Sequence, residues 1–288
     1  MTSIESIAAR LNLHRAGREW RGSCPACGYN KDAFTLSATR AGRVMGFCAS
    51  CRDQPAIRAA LGAATPPSRT NDPRDDAKPA EARAKAAERA LKLWAGSETI
   101  RPGDPVHQYL TRRGLAALTS STVLRYRRDT PHPSGGGSHP AMIALAQDAA
   151  GSPVAIHRTY LTFDGRKAVL DPPKASLGPI FGAAIRLSPP GGDLVIGEGI
   201  ETAASAGLIL GKPAWAGVAA GNIRSKLDLP PSVRSIIIAA DNDAPGIEAA
   251  EAAARRWQGE GRAARIVKPN LPGADFADVL MQREGVKQ

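Results

Sequence analysis

At 288 residues, with 43% hydrophobic side chains, the chain is long enough for about two domains and apolar enough to bury a core. No apolar stretch approaches the ~20 residues of a membrane span, and the opening Met1-Thr-Ser-Ile-Glu-Ser lacks the charged and apolar regions of a signal peptide; both point to a cytoplasmic protein with no membrane partner. A formal net charge of +11 points instead to a polyanion.

The first predicted unit is residues 1–61. All four cysteines lie here, as Cys24-Pro-Ala-Cys27 and Cys48-Ala-Ser-Cys51, with twenty residues between the pairs. Each Cys-x-x-Cys turn aims two thiolates at one point, and two such turns complete a tetrahedron around Zn²⁺. Four thiolates leave no open position on the metal, so this zinc is structural. The interval holds two alternating segments, 33–37 and 43–47, around Ala41-Gly42, which predicts a hairpin and hence a zinc ribbon. Arg21, Lys31, Arg40, Arg43 and Tyr29 offer charge and a stacking face to single strands, while Phe34 and Phe47 are expected in the small core.

Residues 62–79 are polar and proline-rich without apolar period, as expected of a flexible linker. A helix is predicted from about Ala80 to Ala95, with Leu91 and Trp94 towards a core. It opens a basic α+β subdomain, residues 80–190. Tyr109-Leu-Thr-Arg-Arg-Gly-Leu115 comes next, then Arg125, Arg127 and Arg128, then predicted strands at 141–145 and 154–161. Arg158, Lys167 and Lys174 are the expected phosphate ligands, because Arg and Lys hold phosphates without reading bases. His107 and His157 have no metal-binding partners in the sequence and are assigned to packing.

Residues 191–288 carry the acidic motifs. The apolar run Leu194-Val-Ile196 leads into Gly197-Glu198-Gly-Ile-Glu201-Thr202, and the run 233–240 leads into Asp241-Asn-Asp243-Ala-Pro-Gly246. Such runs alternating with helical patterns predict parallel βαβ units, whose ligands bind beyond the carboxyl ends of the strands. Asp241 and Asp243 could simply cap the next helix. A cap needs one acid, however, and two more beside it repel unless a cation intervenes. Glu198, Asp241 and Asp243 are therefore expected to hold Mg²⁺ or Mn²⁺. A further strand is predicted at 263–267.

A strand ending in Glu-Gly followed by a strand ending in Asp-x-Asp resembles the Toprim domain of bacterial-type primases, topoisomerases and some nucleases. Gly197–Ala203, Ala240–Gly246 and the Tyr109-Leu-x-x-Arg-Gly string are similar to the phage and mobile-element branch of DnaG-type DNA primases. The four cysteines resemble the zinc-binding domain of that family. The resemblance implies a parallel, Rossmann-like Toprim α/β domain at residues 191–288 behind a zinc-ribbon β domain and the basic subdomain. It also implies synthesis of short RNA primers on single-stranded DNA from nucleoside triphosphates, in DNA replication of a mobile genetic element. Asp275, in Gly-Ala-Asp275-Phe-Ala-Asp278, matches the last acidic motif and joins the metal ligands. Where many relatives have Asp four residues after the first Glu, this chain has Thr202, with Glu201 beside it as a substitute donor. No Gly-x-x-x-x-Gly-Lys-Ser/Thr loop occurs, so a helicase is expected to act in trans. The competing readings are a Toprim nuclease and a non-enzymatic, recombination-mediator-like DNA-binding protein. A topoisomerase fits less well, since Tyr29, Tyr109, Tyr126 and Tyr160 lack the context of a nucleophile.

Overall fold

The computed structural model describes residues 4–17, 19–29, 32–38, 44–51, 54–61, 73–135, 137–271 and 273–284. Lys31, Arg40, Arg43 and the linker as far as residue 72 lie outside them. The chain forms two compact units, Met1–Pro73 and Arg74–Gln288.

In the first unit, α1 (Ile4–Arg10) precedes β1 (His14–Ala16), β2 (Glu19–Gly22), β3 (Phe34–Ala38) and β4 (Val44–Cys48), and α2 (Gln54–Ala60) follows. The strands form one antiparallel sheet in chain order. The expected hairpin pairs Ala38 with Val44 and Phe34 with Cys48. Phe34, Leu36 and Ile57 are fully buried, and Gly46 is forced by them: a Cβ there would stand 2.9 Å from both Ile57 and Phe34 side chains. Phe47 does not join this core and is 46% exposed. Side chains alternate along a strand, so turning Cys48 inward turns Phe47 outward.

The second unit begins with α3, which spans Pro73–Ala95, seven residues more than the Ala80 start expected above; residues 73–79 are helical rather than linker. Pro73 stands at the first helical position, where its missing N–H has no partner to lose. α4 (Pro105–Thr111) follows, started by Asp104, whose carboxylate accepts from the His107 N–H at 2.7 Å. Next come β5 (Leu124–Pro131), β6 (Ser138–Gln147), β7 (Pro153–Tyr160) and β8 (Lys174–Leu177), an antiparallel meander.

The remaining elements are β9 (Ile185–Arg186), β10 (Asp193–Gly197), α5 (Ile200–Leu210), β11 (Ala214–Ala216), α6 (Ala220–Ser225), β12 (Ser235–Ala239), α7 (Ala244–Gly259), β13 (Ala263–Val267) and α8 (Phe276–Glu284). Their sheet has the order β13-β12-β10-β11-β9, parallel except for β9. Apolar residues of the meander (Ile143, Tyr160) and of this part (Ile200, Ala203, Leu280) share one continuous core, so burial of apolar surface holds the two sheets together.

The turn from β10 into α5 is close-packed. A Cβ on Gly197 would lie 2.7 Å from the Ala203 nitrogen and 2.8 Å from its Cα, which is backbone and has little freedom to yield. Gly197→Ala is expected to push α5 off the sheet and to destabilise by about 1–3 kcal/mol, measured as a lowered unfolding midpoint; an unchanged midpoint would show that α5 shifts freely.

Candidate functional site

In the first unit the four cysteine sulfurs all lie within 4.8 Å of one another. Cys24 Sγ is 3.8 Å from Cys51 Sγ, and Cys27 Sγ is 3.9 Å from Cys48 Sγ. Edges of about 3.8 Å are those of a tetrahedron of sulfurs about 2.3 Å from a central Zn²⁺, the Zn–S bond length. None is in a disulfide. Its hydrogen bond with Cys24 lowers the Cys48 thiol from its ordinary value, while the same contact and burial raise Cys24. The donor set fits structural zinc.

In the second unit, β10 and β12 are adjacent and parallel, with Gly197 opposite Ala239. Glu198 and Asp241 therefore leave the same rim, one and two residues past a matched pair. Thr202, on the first turn of α5, reaches across: its hydroxyl donates to Asp241 Oδ1 at 3.4 Å. Asp243 is the N-cap of α7 and accepts from the Gly246 N–H at 2.8 Å. The capping role expected for this pair is filled by Asp243. A Cβ on Gly246 would meet Asp241 O and Asp243 Oδ1, both at 2.9 Å, so only glycine lets the motif close.

The third acidic segment docks on the same loop. Asn242 exchanges backbone hydrogen bonds with residues 273 and 274, and its side chain bridges Pro269 O and the Lys268 ammonium at 3.0 and 3.1 Å. Asp275 and Asp278 then accept from each other's N–H at 3.0 and 3.1 Å, a reciprocal start to α8 of the capping-box kind. Asp275 is near enough for its charge to favour protonation of Lys167 and Tyr109.

Among the described residues only the cysteine sulfurs form a ligand group as tight as 4.8 Å; the rim carboxylates do not gather that closely. Mg²⁺ keeps several waters and takes one or two carboxylates directly, so it does not require all the rim acids in direct contact. One rim residue is strained: Val218 sits at φ +70°, a conformation rare for a β-branched side chain, and its N–H donates to Glu198 O at 2.8 Å. Strain of this kind persists where surrounding structure fixes a functional group.

Glu201 is not one of the rim ligands. It is buried, 5% exposed, and Lys174 Nζ reaches both its oxygens at 3.2 and 3.1 Å. The Tyr109 hydroxyl donates to Oε1 as well. Burial opposes the charge on Glu201, but Lys174, then Tyr109 and Lys167, hold its carboxyl well below the usual range. Tyr109 in turn carries the Arg113 guanidinium over its ring at 4.8 Å. The Tyr-Leu-x-x-Arg-Gly string is therefore the clasp between α4 and α5, a role the sequence did not reveal because Glu201 is ninety-two residues away.

Lys174 is thus poised beside the rim with one partner already in place, and Lys167 lies in its field; burial first and Lys174 second lower Lys167. Arg158 is a correction. It is 7% exposed, and its guanidinium donates to the carbonyls of Ala175, Pro131 and Ser176 at 3.1–3.4 Å. It knits the meander together and offers no free face to a phosphate. Arg125 and Arg127 likewise hold the end of α3, through Trp94 O at 3.0 Å and Gly96 O at 2.5 Å. His157 bonds Ser176 Oγ at 3.0 Å and is pushed down to about 3 by burial and by Lys174, a neutral packing residue as expected.

Lys174→Met leaves Glu201 buried without its cation, which costs about 3 kcal/mol, the low end for such pairs because Lys174 reaches the surface. A group whose pKa is depressed on folding stabilises above its ordinary value and loses that contribution as pH falls. Wild-type stability should therefore fall as pH drops below the ordinary glutamate value of 4.5, and Glu201→Gln should flatten that fall. Chemical denaturation at several pH values checks this; parallel pH profiles would contradict the ionised pair.

Residues 193–285 match the Toprim domain model, and residues 84–187 match a domain of unknown function (DUF7146). No curated protein matches. Among solved structures, the primase fragment of the bacteriophage T7 primase-helicase is 15% identical, with 93% of this chain and 96% of that chain covered and a TM-score of 0.44. The RNA polymerase domain of Mycobacterium tuberculosis primase DnaG is 17% identical, with 74% and 80% covered and a TM-score of 0.43. The zinc-binding and RNA polymerase domains of Aquifex aeolicus primase are 14% identical, with 99% and 80% covered and a TM-score of 0.43. No helix among the described residues is long and apolar enough to cross a membrane. The chain thus joins a four-cysteine, zinc-type module to a mixed α/β unit whose residues 193–285 match the Toprim domain.

Proposed function

We propose that the protein is a DNA primase, a nucleotidyltransferase that makes short RNA primers on single-stranded DNA. The observation that carries this reading is the shared rim: Glu198 and the Asp241/Asp243 pair leave neighbouring parallel strands of a Toprim-matching region, beside the basic residues Lys174 and Lys167. Glu198, Asp241 and Asp243, with Asp275, would hold Mg²⁺ or Mn²⁺, which when bound lowers the pKa of an attacking 3′-hydroxyl and neutralises the leaving pyrophosphate. Lys174 and Lys167 would hold the triphosphate of the incoming nucleotide by charge. Thr202 keeps one Asp241 oxygen oriented, and the Tyr109–Glu201–Lys174 clasp fixes the basic wall against the acidic one. The zinc module would contact the template, and a helicase acting in trans would supply the single strand.

The test is to incubate single-stranded DNA with labelled ribonucleoside triphosphates and Mg²⁺. Labelled oligomers are expected. Shortening of the DNA without new oligomers would replace polymerisation by nuclease chemistry, and binding with neither product would leave a DNA-binding protein.

A further inference from the structure

The turn after β7 presents an aromatic ring that the site above does not use. Phe163 is 61% exposed, with the Arg128 guanidinium on one side at 5.3 Å from the ring centroid. A single exposed apolar side chain is ordinary; what sets this one apart is the cations around it. Here Arg112, Arg128 and Arg166 are all exposed. Asp164, the acid between them, is already engaged by the Thr162 hydroxyl at 2.5 Å and by Arg166 at 3.1 Å.

The turn is rigid. Thr162 and Arg166 exchange three hydrogen bonds of 2.8–3.2 Å, Leu161 pairs with Lys167, and Gly165 at φ +72° packs so tightly on α4 that a Cβ would stand 2.5 Å from Gln108 Cβ. A ring held in this way loses little freedom on meeting a ligand. The turn is tied towards the rim through α4: Gly165 packs on it, and its Tyr109 donates to Glu201 on α5, next to Thr202.

We infer that Phe163, with Arg128, Arg112 and Arg166 around it, is a stacking platform for an unpaired base, and that a single-stranded nucleic acid crosses this turn on its way to the acidic rim. The cations fit the phosphates and the ring fits any base face, the combination that binds single strands without sequence preference. The inference rests on the proposed primase reading for its choice of nucleic acid. A protein partner would need an apolar surface less thickly ringed by like charge.

The experiment is fluorescence anisotropy of the full, zinc-loaded chain with a labelled oligo(dT) and with a duplex of equal length, without added Mg²⁺ or Mn²⁺ and without nucleotides. Phe163→Ala is expected to weaken single-strand binding by about fivefold to a hundredfold, the worth of one stacked base, with the duplex affinity and the unfolding midpoint unchanged. Phe163→Trp should restore it. Arg128→Ala should instead flatten the dependence of log affinity on log salt by about 0.7, one phosphate contact on a single strand. Equal single-strand affinities of wild type and Phe163→Ala, or an equal loss on the duplex, would overturn the platform. Loss of stacking by Phe163→Ala in a protein that makes no oligomers would uphold the platform and overturn the catalytic reading alone.

Discussion

Asp241→Asn and Glu198→Gln should each lower nucleotide incorporation by roughly 10²–10³ or more while leaving the protein folded. A rim metal supplies several kcal/mol of transition-state stabilisation, and about 1.4 kcal/mol is tenfold in rate. Each substitution keeps the size of the side chain and removes one negative charge from a group of acids that repel one another without a cation. With zinc in place but no added Mg²⁺ or Mn²⁺, the two variants should therefore be at least as stable as the wild type. A stability equal to wild type with a collapse in rate separates chemistry from folding. Asp278→Asn provides the contrast: it weakens one contact at the start of α8 and should cost about 1 kcal/mol or less with little change in rate.

The second large effect is on the first unit. Structural zinc in small modules contributes apparent binding free energies of about 10–16 kcal/mol, as much as the whole stability of an ordinary domain. The core around Phe34, Leu36 and Ile57 is small and has Cys24 and Cys48 built into it. Cys48→Ala, or a strong chelator, is expected to unfold this unit and leave the second unit intact. Hydrogen exchange read peptide by peptide checks it: residues 4–61 should lose protection, and residues 84–284 should keep it. Retained protection over 34–48 in the chelated protein would show that the apolar core suffices without metal.

The features legible in the sequence were those with strong local signals. The Cys-x-x-Cys pairs, the apolar runs at 194–196 and 233–240, and the acids at their ends needed no partner to be recognised, because burial on both faces and turn chemistry dictate such strings directly. What was illegible depends on distant residues. β11 is only Ala214–Ala216, too short for a period, and is a strand because β10 and β9 flank it. Arg158 reads as a cation in a strand and became a buried tie only once the carbonyls of Pro131, Ala175 and Ser176 were brought to it. Glu201 looked like a substitute metal ligand one residue from Thr202; on a helix, neighbouring residues point about 100° apart, so Thr202 faces Asp241 while Glu201 faces Tyr109 and Lys174. Phe47 failed for a simpler reason, the strand alternation set by Cys48.

The rim acids are expected to act together on a divalent ion. Manganese binding followed by electron paramagnetic resonance addresses this without requiring turnover: the free-ion signal is titrated against wild type, Glu198→Gln, Asp241→Asn and Arg158→Lys. Wild type and Arg158→Lys should remove the signal alike, and each acid variant should bind at least about tenfold more weakly. Undiminished binding by both acid variants would mean that Glu198 and Asp241 share a rim but not a metal.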